Sequence, residues 1–198
     1  MRIFRSLILA ATALACGAQE TGHKAHFFLG FGYTLGGDTL ADVQFSDGDS
    51  STLKAGKGVH MKAGLDYRWN KAASFQLNLG YHVDDTKAAS NGSASFTRVP
   101  FEALLFWHPK ERTRLGLGIR KANSVKLSSS GAASSIGDYD FNASTAMILD
   151  LEFLGRKSHY GQGGFEIRFV SEKFTLADYP GAPSIDGSHL GLSLNWYF

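Results

Sequence analysis

The chain is predicted to be all-β: an eight-stranded antiparallel up-and-down transmembrane β-barrel with a closed polar interior, preceded by a signal peptide. Three observations predict it. The stretch Leu190-Gly-Leu-Ser-Leu-Asn-Trp-Tyr-Phe198 alternates large apolar residues with small or polar ones and ends on an aromatic. Seven further segments alternate in the same way, and the connections between them are short and long in turn. All three tryptophans fall at the short-turn ends of their segments. A strand with one apolar face, one polar face and aromatics at its ends suits a barrel with lipid outside and a polar lumen inside.

The N-terminus comes first. Met1-Arg-Ile-Phe-Arg5 is basic, Leu7 to Ala15 is apolar, and small residues follow. This reads as a secretory leader, too short for a membrane helix, with cleavage expected after Ala15 or Ala18. We take residues 1–18 as the leader and 19–198 as the barrel. Cys16, the sole cysteine, sits at the junction, but Ala13 stands where a lipoprotein site carries Leu. Without Cys16 the mature chain can form no disulfide, which a closed barrel does not need. Losing Arg2 and Arg5 lowers Lys+Arg from 20 to 18, equal to Asp+Glu. A balance near zero gives no electrostatic footprint for a nucleic-acid partner.

The eight staves are expected over 24–36, 58–69, 74–84, 98–108, 113–121, 143–154, 162–172 and 188–198. Short polar turns (Asn70–Ala73, Pro109–Arg112, Gly155–Ser158) join staves two to three, four to five and six to seven. The other four connections are long and rich in Gly, Ser, Asp and Ala. That asymmetry is the one between periplasmic turns and extracellular loops, and an even count puts both ends in the periplasm. The prolines are expected in connections or at a strand start, where a missing ladder donor is tolerated.

Parity assigns the faces. Phe27, Leu29, Phe31, Tyr33 and Leu35 point outward on the first stave, and Val59, Met61, Ala63, Leu65, Tyr67 and Trp69 on the second. The outward residues continue uncharged through Phe75–Val83, Val99–Trp107, Leu115–Ile119, Met147–Phe153 and Phe165–Phe169, as lipid contact requires when a mid-bilayer charge costs about 2–4 kcal/mol. Trp69, Trp107, Phe153, Trp196 and Phe198 would form a periplasmic aromatic girdle. The opposite parity carries Lys62, Arg68, Arg114, Arg120 and Arg168 against Asp66, Glu102, Asp150, Glu152 and Glu166. An eight-stranded barrel is only wide enough for side chains to fill. Buried charges persist there when paired, so these ten residues are expected to interlock as a lumen charge network. Phe28, Phe106, Leu154 and Tyr197 would make an apolar plug near the turn end.

Candidate chemistry is thin. His60 and His82 face inward near the loop end and could approach one another, but polar mouth residues are the simpler reading. Adjacent Ser188 and His189 point to opposite faces of a strand and cannot pair as nucleophile and base. Ser46-Asp-Gly-Asp-Ser-Ser51 is oxygen-rich but lacks the spacing and terminal Glu of an EF-hand loop. No catalytic residue, metal site or cofactor is assigned, and an enzyme is not expected.

With this strand map the chain resembles the small eight-stranded outer-membrane barrels of the OmpA/OmpX/OmpW type. The likeness rests on the architecture, on Gly37-Asp-Thr-Leu40, on Gly80-Tyr-His-Val-Asp-Asp85 and on Asp186–Phe198. It covers essentially the whole mature chain and suggests a family of outer-membrane barrels of unassigned activity. The resemblance implies an integral outer-membrane location, contact with outer-membrane lipid and lipopolysaccharide, and recognition by the barrel assembly machinery. That recognition would use Leu190, Leu192, Leu194, Trp196 and Phe198. No peptidoglycan-binding domain follows Phe198, so a tethering role is not expected. It leaves three functional readings: a non-enzymatic barrel with a structural or loop-mediated interaction role and no open pore, a narrow channel for small hydrophobic solutes, or a lipid-modifying enzyme. The enzyme reading is disfavoured because the His-x-Ser pair of outer-membrane lipid A deacylases has no counterpart here.

Overall fold

The computed structural model describes residues 24–44, 50–87, 92–179 and 181–198. The leader, Cys16, His23 and most of the acidic segment at 46–51 lie outside the described residues. In chain order the strands are β1 (Lys24–Gly36), β2 (Thr39–Gln44), β3 (Ser50–Lys54), β4 (Gly58–Arg68), β5 (Ala73–Lys87), β6 (Gly92–Lys110) and β7 (Thr113–Gly131). They continue with β8 (Tyr139–Ala143), β9 (Ala146–Leu154), β10 (Gln162–Ser171), β11 (Lys173–Leu176), β12 (Ile185–Asp186) and β13 (His189–Tyr197).

Eight of these close a barrel. The ladder runs β1–β4–β5–β6–β7–β9–β10–β13 and returns to β1, antiparallel throughout. Closure leaves no barrel edge, the condition for a sheet to sit in lipid. The outward parity holds: Phe31, Leu35, Met61, Leu79, Leu117, Met147 and Leu194 are among the side chains on the exposed exterior. No helix among the described residues is long and apolar enough to cross a membrane, which says nothing against crossing by strands.

Two expectations need correction. β5, β6 and β7 run beyond their predicted ends, and the long loops carry strands of their own. The hairpin β2–β3 forms from the first loop, while β8, β11 and β12 extend the sheet beside the upper part of β7. Composition marks these Ser- and Ala-rich segments as loops, yet Ala94, Phe96, Val125 and Leu127 supply the buried face that holds them as strands. Pro100 and Pro109 also lie inside β6 rather than in connections. Each falls at a register shift, Arg98/Pro100 and Trp107/Lys110, where the absent N–H is accommodated.

These extended strands build a dome over the loop end of the barrel. Its core is apolar: Leu53, Phe96, Val125, Leu127, Phe141 and Phe174 pack with five buried alanines. Phe96 meets Phe141 and Phe174 edge-on, with ring centroids 5.6 and 5.5 Å apart, a favoured aromatic arrangement. The first and last loops are clipped together above it. The Asp38 amide donates to the Asp186 carbonyl at 2.7 Å, and the Asp186 amide donates to Asp38 Oδ2 at 2.8 Å.

Candidate functional site: a charge-filled lumen under an apolar dome

Nine of the ten predicted lumen charges join one connected network. At the turn end, buried Arg114 on β7 donates across the lumen to Asp66 on β4 at 2.5 Å and to Glu152 on neighbouring β9 at 2.7 Å. It also donates to Gln76 Oε1 at 3.1 Å and to the Tyr197 hydroxyl. Its guanidinium lies 4.0 Å from the Phe106 ring centre and 4.9 Å from that of Tyr197. Cation–π contact of this kind adds to the ion pairs.

The middle layer must resolve a conflict. Glu166 and Glu152 lie directly opposite each other on β10 and β9, a destabilising pairing when alone. The Asn195 amide bridges them, donating to Glu152 at 2.9 Å and Glu166 at 2.8 Å. Lys62 reaches across from β4 to Glu166 at 2.5 Å. Arg168 touches three carboxylates: Glu102 at 2.5 Å, Asp150 at 3.1 Å and Glu166 at 3.0 Å. Gly30 makes this reach possible, because a Cβ there would meet the Lys62 stem and the Asn195 side chain. Arg120 closes the upper layer between Glu102 at 3.3 Å and Glu172 at 3.4 Å.

Arg68 is the exception. Its half-buried guanidinium turns away from the network and donates to the turn carbonyls of Asn70 at 3.4 Å and Lys71 at 3.2 Å. At the last residue of β4 it finds those carbonyls nearer than a lumen carboxylate. Three buried charges were missed by the sequence reading: Arg98, Glu172 and Asp84. Arg98 donates to the carbonyls of Ala55 at 2.5 Å and Lys57 at 2.9 Å, and Asp84 accepts the Lys54 amide at 2.9 Å. Together they hold the end of the β2–β3 hairpin down over the mouth. Their inward parity was the available signal, but each stands at the very end of its expected stave, at 84, 98 or 172, away from the mid-lumen charges.

Between the ion pairs and the dome lies a layer of histidines. His60 and His82 are 5.7 Å apart between ring centres, and His82 is 5.3 Å from His189, which sequence reasoning weighed only beside Ser188. His60 pairs with the Ser193 hydroxyl at 3.0 Å, His82 with Thr34 at 2.8 Å, and His189 donates to the Gly187 carbonyl at 2.8 Å. Among the described residues no group of three or more His, Cys, Asp or Glu is arranged to hold a metal ion. Ser188 accepts the Glu172 amide at 3.3 Å while His189 turns inward to its own contact. The cavity between this layer and the Arg120–Glu102 pair is about 10 Å³, at the lower limit for one water. Below Arg114 the lumen widens into an open vestibule of about 980 Å³ at the turn end.

Of the predicted apolar plug, Phe28, Leu154 and Tyr197 pack together. Phe106 instead joins Leu104, Ile148 and Val170. Trp69, Trp107, Phe153, Trp196 and Phe198 are all exposed and outward. Trp196 donates from Nε1 to the Tyr160 carbonyl at 3.1 Å.

No family model matches the sequence, and no curated protein matches it. Solved structures do. The outer membrane protein OprG from Pseudomonas aeruginosa superposes with a TM-score of 0.53 at 14% identity, over 88% of this chain and 95% of that one. Ail, the attachment invasion locus protein of Yersinia pestis, was solved with the heparin analogue sucrose octasulfate. It gives 0.49 at 14% identity over 90% and 100%. AlkL in lipid bilayers gives 0.40 at 13% over 91% and 94%. At such identities the likeness concerns the fold, which is that of a small eight-stranded outer-membrane barrel. With its apolar exterior, the chain is an integral outer-membrane barrel.

Proposed function

We propose that this protein is a non-enzymatic outer-membrane barrel without an open pore, whose role is carried by the extracellular dome. The supporting observation is the continuous network from Asp66 to Glu172, stacked beneath the histidine layer and the apolar dome core. Buried ion pairs that lose one partner leave an uncompensated charge, so an opening through this lumen carries a large penalty. A structural role for all that charge, with a different chemistry in the loops, fits a rigid scaffold presenting a functional surface. Outward Leu190, Leu192, Leu194, Trp196 and Phe198 would be read by the barrel assembly machinery, and the exterior and loop rim would contact lipid and lipopolysaccharide. The aromatic girdle would sit at the periplasmic interface, and residues 1–18 would direct export.

The test is planar-bilayer recording on the purified protein. The expected result is the absence of steady single-channel current at low voltage. Sustained unitary currents would overturn the closed-barrel reading and favour the solute-channel alternative.

A further inference from the structure

We propose that the extracellular dome holds a binding pocket for a small apolar solute that is neutral or carries a positive charge. The inference rests on the loop-interaction reading above, and it assigns that role a site and a ligand class. The pocket is an open groove of about 720 Å³ on the outer side of the dome core. Its floor is Leu127 of β7 and Phe141 of β8, both buried in that core. Its walls are Leu40, Ile136, Leu176 and Ile185, each half-buried and packed on the same cluster. Tyr139 and Tyr179 stand exposed at the mouth. Walls drawn from three of the long loops around one apolar floor, with few polar groups, have the composition usual for small-molecule recognition.

The surroundings specify the occupant. Along β7 the outward side chains are Leu115, Leu117 and Ile119 in the barrel, then Lys121, Asn123, Lys126 and Ser128 above it, all exposed. The dome therefore stands in water beyond the apolar band. A solute reaches the pocket from the external medium, and a bilayer acyl chain does not lie alongside it. Among the described residues of the wall, Asp178 is the one that carries a charge. A carboxylate at the rim favours an ammonium-bearing or uncharged ligand over a carboxylate of the same chain length. The Asp38–Asp186 clip fixes the Ile185 wall relative to the first loop, so the pocket is largely pre-formed. Beneath it, the dome core, the histidine layer and the ion pairs separate the site from the vestibule. The pocket captures; it does not conduct.

Methyl-labelled protein in lipid nanodiscs tests this by carbon-detected NMR, with octylamine and octanoate as probes. Saturable shifts of the Ile136 and Ile185 methyls are expected with octylamine. Lipid-facing Ile119 and Ile167 report simple partition into the bilayer and should move linearly for both probes. Octylamine should bind about threefold more tightly than octanoate, a ratio typical of one exposed charge contact. Asp178→Asn should erase that ratio. Leu176→Trp, which fills the cavity, should abolish the saturable shift. Ile136→Trp fills it from another element and serves if Leu176→Trp fails to fold, with heat-modifiable gel migration checking the barrel of each variant. Shifts confined to Ile119 and Ile167, or unaltered binding in a folded filled-pocket variant, would overturn the proposal. Such a failure with no single-channel current would leave the closed-barrel reading intact, whereas current with no binding would defeat both.

Discussion

The barrel lumen and the dome above it are built from the same strands with opposite chemistry. On β7, Arg114 and Arg120 point inward while Leu115, Leu117 and Ile119 point outward. A few residues further along, Val125 and Leu127 point inward while Lys126 and Ser128 point outward. On β6, the register shift at Arg98/Pro100 marks the same boundary. The inversion follows the solvent. Lipid accepts no charge on the outer face, so the barrel keeps its polar groups inside. Water imposes the reverse, and the dome buries its apolar side chains as a soluble sheet does. One alternating pattern thus serves two solvents, and alternation alone does not say which side is buried.

The largest effect should come from unbalancing the lumen. Arg168→Met leaves Glu102, Asp150 and Glu166 without a shared cation. We expect a loss of about 3–5 kcal/mol, read by urea unfolding in lipid vesicles with tryptophan fluorescence. The comparable cut in the dome's exposed Lys126–Asp140 pair, at 58% and 63% side-chain exposure, should cost less than about 1 kcal/mol. Equal losses in the two variants would end the claim that burial makes the lumen pairs matter.

Next comes the dome core. Phe174→Ala removes a fully buried ring packed against Phe96, a change that costs about 3–5 kcal/mol in a well-packed core. The closed ladder does not pass through β11, so the loss should appear as local opening. Faster amide exchange in β8 and β11 is expected, with little shift in the unfolding midpoint of the barrel. A midpoint drop as large as that of Arg168→Met would mean that dome and barrel are one cooperative unit.

This contrast also explains what could be read from the sequence. The staves were legible because lipid vetoes every outward charge, so parity had a consistent meaning from Phe27 to Phe198. Pairing of Lys62, Arg114, Arg120 and Arg168 followed, since a narrow lumen gives inward charges nowhere else to go. The dome was hidden for the complementary reason. Ala94, Phe96, Val125 and Leu127 alternate with Ser, Thr and Lys, and nothing local states that the solvent has changed. Arg98 and Glu172 sit at that boundary, where a stave model either stops or assigns no partner. The pocket lay beyond reach altogether, because Leu40, Ile136 and the Leu176–Ile185 pair belong to three different loops and meet only in the folded chain.

The smallest expected effect concerns the clip that joins the loops. The Ser188 hydroxyl and amide hydrogen-bond the Asp186 carboxylate and lower its pKa below the ordinary aspartate value. Bonds of this kind favour the ionised form. A depressed folded-state pKa contributes stability at pH above the unfolded value of about 4, and the contribution fades as pH falls through the folded value. Acidification should therefore loosen the β11–β12 edge before it disturbs the barrel, and Asp186→Asn should make that edge insensitive to pH in this window. Amide exchange at Gly187 and Ser188 between about pH 5 and pH 3 reads it, using the ordinary aspartate range as guide. An exchange profile unchanged by the substitution, after correction for intrinsic rates, would show that the Asp38 amide–Asp186 carbonyl bond and the Asp186 amide–Asp38 carboxylate bond hold the clip without help from the Asp186 carboxylate.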